Sequence, residues 1–154
     1  MIKNLNDVLV ILAAAIEADA TISAYCAAEF GKPLSILVGI DPKNPPKFDA
    51  AAPMVLLSSG TRYREQLQAY LVHQLRVGVA MECDDPPAKA GNVTTYPGLE
   101  KLDALAVLVE RCVTVALNGS GFAAVQAPEH EDITNHPMYE AVWTYDQITI
   151  PNRI

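Results

Sequence analysis

The feature that most constrains the fold is a stretch with a period of two, from Leu67 to Cys83. Its odd positions are apolar apart from His73, whereas most of its even positions are polar or small. Successive side chains on a strand point to opposite faces of a sheet, so the pattern predicts one long strand with one buried face. Gly78 lies inside this stretch and predicts a bend or bulge, because strand glycines often mark one.

Two shorter strand-like runs precede it, Ser35 to Ile40 and Met54 to Leu57, and a proline-rich loop joins them. Proline fixes φ and has no N–H to donate, so this loop is stiff and fits neither a helix nor the interior of a sheet. The sequence predicts a preshaped protrusion suited to contact with another protein. A stiff surface loop without a role is the alternative.

Two polar segments flank the long strand. Ser58 to Glu65, with the sequence SSGTRYRE, is interpreted as a long hairpin loop before it. Asp84 to Thr95 follows it as a loop of about twelve residues, near the length at which loops have a function or are disordered.

Two helices are predicted at the N-terminal end. Asn6 or Asp7 can cap the first, whose apolar residues recur at helical spacing as far as Ile16. Asp19 or Thr21 starts the second, and Gly31 ends it because glycine readily adopts the left-handed conformation.

A third helix is predicted from Pro97 to Asn118, with Gly119 as its stop. Its apolar residues cover about half the circumference, more than the ~100° stripe that one sheet requires. Leu108 and Val115 lie away from the main apolar face. The extra width predicts a second partner, either the N-terminal helices or another subunit.

A last alternating segment, Tyr139 to Ile150, predicts a terminal strand. The order of elements then indicates a single α+β domain over residues 1–154. We expect a mostly antiparallel sheet of about four strands, with two N-terminal helices and one long helix packed on it. The three cysteines are odd in number and have apolar neighbours, which favours free thiols over disulfides.

Charge indicates which partners to expect. Eleven basic and eighteen acidic residues give a net charge of −7. This sign disfavours affinity for phosphate backbones, although DNA could pass nearby without adhering. No leader peptide is recognised and the apolar run Val8 to Ile16 is too short to cross a bilayer, so we expect a soluble protein made in the cytoplasm, without membrane contact.

The histidines are the first candidates for chemistry. His73 falls in the apolar series of the long strand, which favours a buried histidine with a satisfied hydrogen bond over a ligand or base. His130, Asp132 and His136 could be imagined as a metal site, but their spacing matches no known closed site. Solvated acidic loop residues are the favoured interpretation there.

Nucleophilic and phosphate-binding motifs are lacking in the sequence. Gly119-Ser120-Gly121 follows a helix, whereas a nucleophile elbow needs a strand-to-helix turn. The glycines form no phosphate-binding loop. We therefore expect no enzymatic activity, no cofactor and no metal.

The layout resembles that of the tail terminator, or tail completion, proteins of long-tailed bacteriophages. The resemblance is carried by a strand ending in Val38-Gly39-Ile40-Asp41-Pro42, by the proline-rich loop to Ala52-Pro53, and by the strand HPMYEAVW, His136 to Trp143. It covers Leu5 to Ile150.

This resemblance implies a structural protein of the virion, assembled in the host cytoplasm. Such proteins form a ring, usually of six subunits, on the head-proximal end of the tail tube, where they stop tube polymerisation and join the tail to the neck. The implied partners are further copies of the chain, the tail tube protein and a neck or connector protein. DNA would pass through the lumen without specific binding, and the family carries no catalytic residues.

Three groups of residues are the candidates for partner binding: the proline-rich loop, the segment after the second strand, and the outlying apolar residues of the long helix. They are Asp41, Pro42, Lys43, Asn44, Pro45, Pro46, Lys47 and Phe48; Arg62, Tyr63 and Arg64; and Leu108 and Val115. The alternatives are another neck or connector ring subunit, a small cytosolic enzyme using His73, Ser58 and the acidic loops, or a binding module that dimerises through the helix.

Overall fold

The computed structural model describes residues 4–47, 52–64, 70–119 and 128–151, and within these ranges the chain forms three helices and seven strands. In chain order they are α1 (Leu5–Ala18), α2 (Ala20–Phe30), β1 (Ser35–Val38), β2 (Met54–Arg64), β3 (Tyr70–Glu82), β4 (Ala88–Ala90), β5 (Val93–Thr95), α3 (Pro97–Gly119), β6 (Glu129–Asn135) and β7 (Met138–Pro151).

Five of the strands form one sheet in the order β1-β2-β3-β7-β6, and β4 and β5 form a separate two-stranded hairpin. β1 runs parallel to β2, whereas the other neighbours in the large sheet are antiparallel. The predicted α+β class is confirmed. The sheet is mixed and has five strands instead of about four.

The additional strand is β6, whose residues were interpreted from the sequence as an acidic loop. That interpretation is wrong, because Glu129–Asn135 pairs along its whole length with β7. Its sequence, EHEDITN, has no apolar alternation that would indicate a strand, because all seven of its residues are exposed and neither face needs apolar side chains. β6 lies at one edge of the sheet, where charged side chains disfavour pairing with another edge.

The long strand predicted from Leu67 to Cys83 is confirmed over Tyr70–Glu82 as β3, which lies at the centre of the sheet between β2 and β7, and residues 67–69 lie outside the described residues. Gly78, however, pairs in register with Leu56 and Val142. The register shifts occur elsewhere, between Ser59 and Arg62 on β2 and between His73 and Leu75 on β3. The bulge predicted at Gly78 is therefore wrong.

The capping of the N-terminal helices follows local hydrogen bonding. Asn4 caps α1, in place of the predicted Asn6 or Asp7, because the Asp7 N–H donates to Asn4 Oδ1 at 3.1 Å and the Asn4 N–H donates to Asp7 Oδ2 at 3.2 Å. Asp19 caps α2 as predicted, and Gly31 ends it with φ of 66°.

The hydrophobic core lies between the helices and one face of the large sheet, which we call the core face. Trp143 is fully buried there, and Leu12, Leu105 and Val109 contribute from the helices. Cys26 and Cys83 are buried, Cys112 is half-buried, and all three are free thiols as predicted.

None of the described helices is by itself long and apolar enough to cross a bilayer. α1 and α2 pass a test of length and composition only as a pair, and they are bent by 62° at the break between them.

Candidate partner-binding surfaces

The two faces of the large sheet differ in what covers them. Directly paired residues on neighbouring strands share a face, so the register places Val55, Val77 and Trp143 on the core face, where they are buried. The alternate positions point to the opposite face, which we call the distal face. Leu37, Leu56, Gly78 and Val142 lie side by side on it.

An apolar cavity of about 290 Å³ opens on the distal face, and we call it the distal groove. Among the described residues that line it, Glu140 is the only charged one. Gly78 lies in its floor, so the absence of a side chain leaves a hollow between Leu56 and Val142. The lining residues are Leu37, Ile40, Pro45, Pro46, Met54, Leu56, Gly78, Val79, Ala80, Glu140 and Val142.

The proline-rich loop borders this groove. Pro45 and Pro46 form part of its wall, while Asp41 to Pro45 and Lys47 are exposed. The loop is exposed as predicted, but two of its prolines lie against the sheet at the rim of the groove. Phe48, the last residue of the predicted loop site, lies outside the described residues.

Hydrogen bonds to Asp41 fix the start of the loop. The Lys43 N–H donates to Asp41 Oδ1 at 2.9 Å, the Asn44 side-chain amide donates to Asp41 Oδ2 at 3.0 Å, and the Asn44 N–H donates to the Asp41 carbonyl at 3.1 Å. The bond from the Asn44 side chain, followed by that from the Lys43 N–H, lowers the pKa of the Asp41 carboxyl because both favour its ionised form. The loop is therefore shaped by side-chain bonds as well as by prolines.

Gly39 is a residue that the sequence reasoning missed. It follows β1 with φ of 77°, a conformation that favours glycine, and its N–H donates to the Leu57 carbonyl at 2.8 Å. This turn directs the chain from the edge of the sheet into the loop. The glycine between a strand-like run and Asp41-Pro42 was the available signal.

The second predicted group, Arg62, Tyr63 and Arg64, does not form a loop. β2 continues through Arg64, and these three residues pair with His73, Val72 and Leu71 of β3. The interpretation of residues 58–65 as a hairpin loop is wrong for the part up to Arg64. The polar composition concealed the strand, because polar residues on β2 do not show the apolar alternation that marked β3.

The two residues of the third predicted group, Leu108 and Val115, differ in how far they are buried. Leu108 is half-buried and packs against the core, so helix contacts within the chain account for it. The wide apolar arc of α3 predicted contact with either the N-terminal helices or another subunit. α3 contacts both α1 and α2, which supports the N-terminal helices. Val115 is 67% exposed and, with Val107 at 56%, remains available to a partner on the solvent side of α3.

The predicted loop from Asp84 to Thr95 contains the β4–β5 hairpin. Every residue from Asp84 to Tyr96 is exposed, and Val93 is 64% exposed. Gly91 adopts φ of 61° in the turn. The hairpin was missed because three-residue strands are too short to show a period.

The candidate chemical groups lie apart from one another. His73 is buried in β3, as its place in the apolar series predicted. His130 Nε2 lies 3.3 Å from Glu110 Oε2 and its ring stacks on Trp143, whereas His136 Nδ1 lies 3.1 Å from the Tyr139 hydroxyl. Among the residues that the structure describes, no group of three histidine, cysteine or acidic side chains could hold a metal ion.

A polar depression of about 250 Å³ lies where α2, the end of β3 and the start of α3 meet. Lys101 Nζ lies 3.1 Å from Asp85 Oδ2 and 3.5 Å from Glu29 Oε2. The hydrogen bond to Asp85 raises the pKa of Lys101 and lowers that of Asp85, since each charge stabilises the other. The two ion pairs of Lys101 connect α2, α3 and the segment before the hairpin.

A scan of the chain against models of protein families finds no match, and a search of curated proteins finds no similar sequence.

Proposed function

We propose that this protein forms a ring at the head-proximal end of a bacteriophage tail tube, where it ends tube polymerisation and joins the tail to the neck. The observation that supports this most strongly is the distal groove, an apolar surface on the sheet face opposite the helices, bordered by a segment that is hydrogen-bonded from Asp41 to Asn44. Exposed apolar surface rimmed by polar residues is typical of protein interaction sites.

A closed ring requires each subunit to carry two different complementary surfaces, because the contact repeats by rotation instead of by a twofold axis. The chain offers several distinct surfaces of this kind. The distal groove is concave and apolar, whereas the β4–β5 hairpin and the solvent side of α3 at Val107 and Val115 expose apolar side chains.

The loop from Asp41 to Lys47 suits docking to the tail tube or neck. Its prolines and the hydrogen bonds to Asp41 hold one backbone shape before binding. Binding then orders few additional torsions, so less of the contact energy is lost to conformational entropy.

The charge of the chain suits a passage for DNA. A net charge of −7 repels phosphates, so a lumen lined by such subunits would let a genome slide without binding it.

The direct test uses the tail tube protein from the same source. We expect tubes grown in the presence of this protein to be shorter than tubes grown alone, with one added ring at one end in negative-stain images. Leu56→Asp places a charge in the distal groove and should abolish the effect, whereas Thr21→Asp at the exposed start of α2 serves as a charge-matched control. Tubes of unchanged length, with no ring bound, would contradict the proposal.

The same assay separates the alternative of another neck or connector subunit. Such a protein would form a ring and bind neck components, but it would leave tube length unchanged. In an assembled particle, such a subunit would lie between the tail terminator and the capsid.

A further inference from the structure

β1 lies at the edge of the large sheet opposite β6, and among the described residues only β2 pairs with it. The Ser35 N–H donates to the carbonyl just before β2 at 2.9 Å, and the Gly39 N–H donates to a β2 carbonyl at 2.8 Å. Successive residues of a strand turn their backbone groups to opposite sides, so Ile36 and Val38 turn theirs away from β2. These are the groups with which a further strand would pair.

The two edges of the sheet differ in composition. β6 carries Glu129, Glu131 and Asp132, and charged side chains on an edge strand disfavour pairing with another strand. β1 has the sequence SILV, with no charged residue and no proline, and Val38 is 41% exposed. β1 is therefore the edge suited to pairing with a further strand.

A depression of about 520 Å³ lies beside β1 under α1, and we call it the edge depression. Val10, Ala13, Ala14 and Glu17 line it from α1, at spacings that place them in one stripe along the helix. Val10 is 53% exposed and Ala14 is exposed, so the stripe extends beyond what β1 covers. Ile36 lines the depression from β1, and none of the described lining residues belongs to β2 or β3, which places it at the edge of the sheet.

A strand added to β1 would use both features. Its backbone would pair with Ile36 and Val38, and every second side chain would point toward α1, where the stripe would cover it. Among the described residues that line the edge depression, Glu17 is the only charged one, so a basic side chain matches it better than an acidic one. The acidic strand β6 of a second copy is a poor match for the same reason.

We infer that β1 binds an extended segment of another protein by strand addition, with apolar side chains and a basic side chain facing α1. Main-chain hydrogen bonds to the edge supply affinity in this mode of recognition, and the edge depression selects the alternate side chains. The inference goes beyond the proposed ring, since it does not depend on how many copies assemble.

The first test titrates two capped seven-residue peptides, KTVTVTK and ETVTVTE, into the isotope-labelled protein. Both peptides place their valines and their end charges on one face, and they differ only in the sign of those charges. The lysine peptide should slow hydrogen exchange of the Ile36 and Val38 amides. The glutamate peptide should bind more weakly. Glu17→Gln should remove most of that difference, whereas Glu131→Gln on β6 should leave it unchanged.

The second test changes one backbone group of the edge. Val38→Pro removes an outward N–H and leaves the bonds of Ser35 and Gly39 to the β2 side, whereas Val38→Thr keeps the N–H and the β-branched shape. We expect Val38→Pro to weaken binding of the lysine peptide about tenfold, the effect of losing one backbone hydrogen bond. Val38→Thr should bind like the wild type. Fluorescence of the buried Trp143 checks that both variants fold.

A lysine peptide that leaves the exchange of both amides unchanged would overturn the inference, and it would leave the proposed ring intact because the tube-length assay does not use β1. Equal binding by Val38→Pro and Val38→Thr would also contradict it, as would equal affinity of the two peptides, a comparison that needs no variant to fold. Amides that become protected without peptide as the protein concentration rises would show that a second copy covers β1, and would overturn the assigned partner.

Discussion

Gly98 in the first turn of α3 provides a strict test of the packing between helix and sheet. A Cβ atom added at this position would overlap the ring of Tyr139, approaching its Cε2, Cζ and Cδ2 atoms. Tyr139 is 1% exposed, and its hydroxyl lies 3.1 Å from His136 Nδ1. The ring therefore has little room to move, and Gly98→Ala should force α3 away from β7.

The expected magnitude follows from two opposing effects. Overpacking of a buried site costs about 1–3 kcal/mol. Alanine is favoured over glycine by up to about 1 kcal/mol in a helix interior, and by less in the first turn. We therefore expect Gly98→Ala to lower the free energy of unfolding by about 1–2 kcal/mol, which corresponds to a fall in Tm of roughly 2–8 °C for a domain of this size.

Urea denaturation followed by tryptophan fluorescence measures this change, because Trp143 is the only tryptophan and is fully buried. Gly78→Ala is the matched control. Its added Cβ would meet Val142 Cγ2 at 3.9 Å and Leu56 Cβ at 4.0 Å, which are ordinary contacts, so stability should be unchanged or slightly higher. A Gly98→Ala variant as stable as the wild type would refute the packing described for α3.

Two further predictions concern ionisable side chains. Asp41→Ala should shift the amide resonances of Lys43 and Asn44 toward random-coil values. Because the folded-state pKa of Asp41 is lowered, acid should produce a similar shift in the wild type as pH falls below the ordinary value of 3.8 and through the lowered one; unchanged resonances in the variant would contradict this. Burial raises the pKa of Cys26 and of Cys112 to about 11, so both thiols should react slowly with a thiol reagent at pH 8 and rapidly in urea. Fast labelling of Cys26 or Cys112 in the folded protein, located by peptide mass spectrometry, would contradict this second prediction.

The sequence predicted the elements with a strong period. β3 and α3 are long, and their apolar residues recur at spacings of two and of three to four, so their type and their approximate ends followed directly. Asp19 and Gly31 were predicted because a capping carboxylate and a left-handed glycine act locally. The first cap was misplaced by two residues or more, since Asn4, Asn6 and Asp7 are all good capping residues, and the capping box between Asn4 and Asp7 was overlooked.

The strands whose sequences show no periodic apolar pattern were not predicted. β6 is exposed on both faces, the far half of β2 is polar, and β4 and β5 are three residues each. Such strands are specified by the neighbour with which they pair, and neither composition nor periodicity shows that pairing. β6, for example, is defined by its antiparallel ladder with β7.

The candidate site was predicted only in part. Prolines 42, 45 and 46 indicated a shaped loop, and the loop is exposed. The groove beside it requires Leu37, Leu56, Gly78 and Val142 to be neighbours, and these residues come from four strands. Periodicity shows which residues share a face of one strand, but it does not show the order of strands in the sheet.

The most direct test of the account is the mass of the purified protein, measured by native mass spectrometry or by light scattering over a range of concentrations. The account predicts a closed oligomer of six copies of the 16.6 kDa chain, about 100 kDa, with a central hole in negative-stain images. A single 16.6 kDa species at every concentration, also with tail tube protein present, would contradict it.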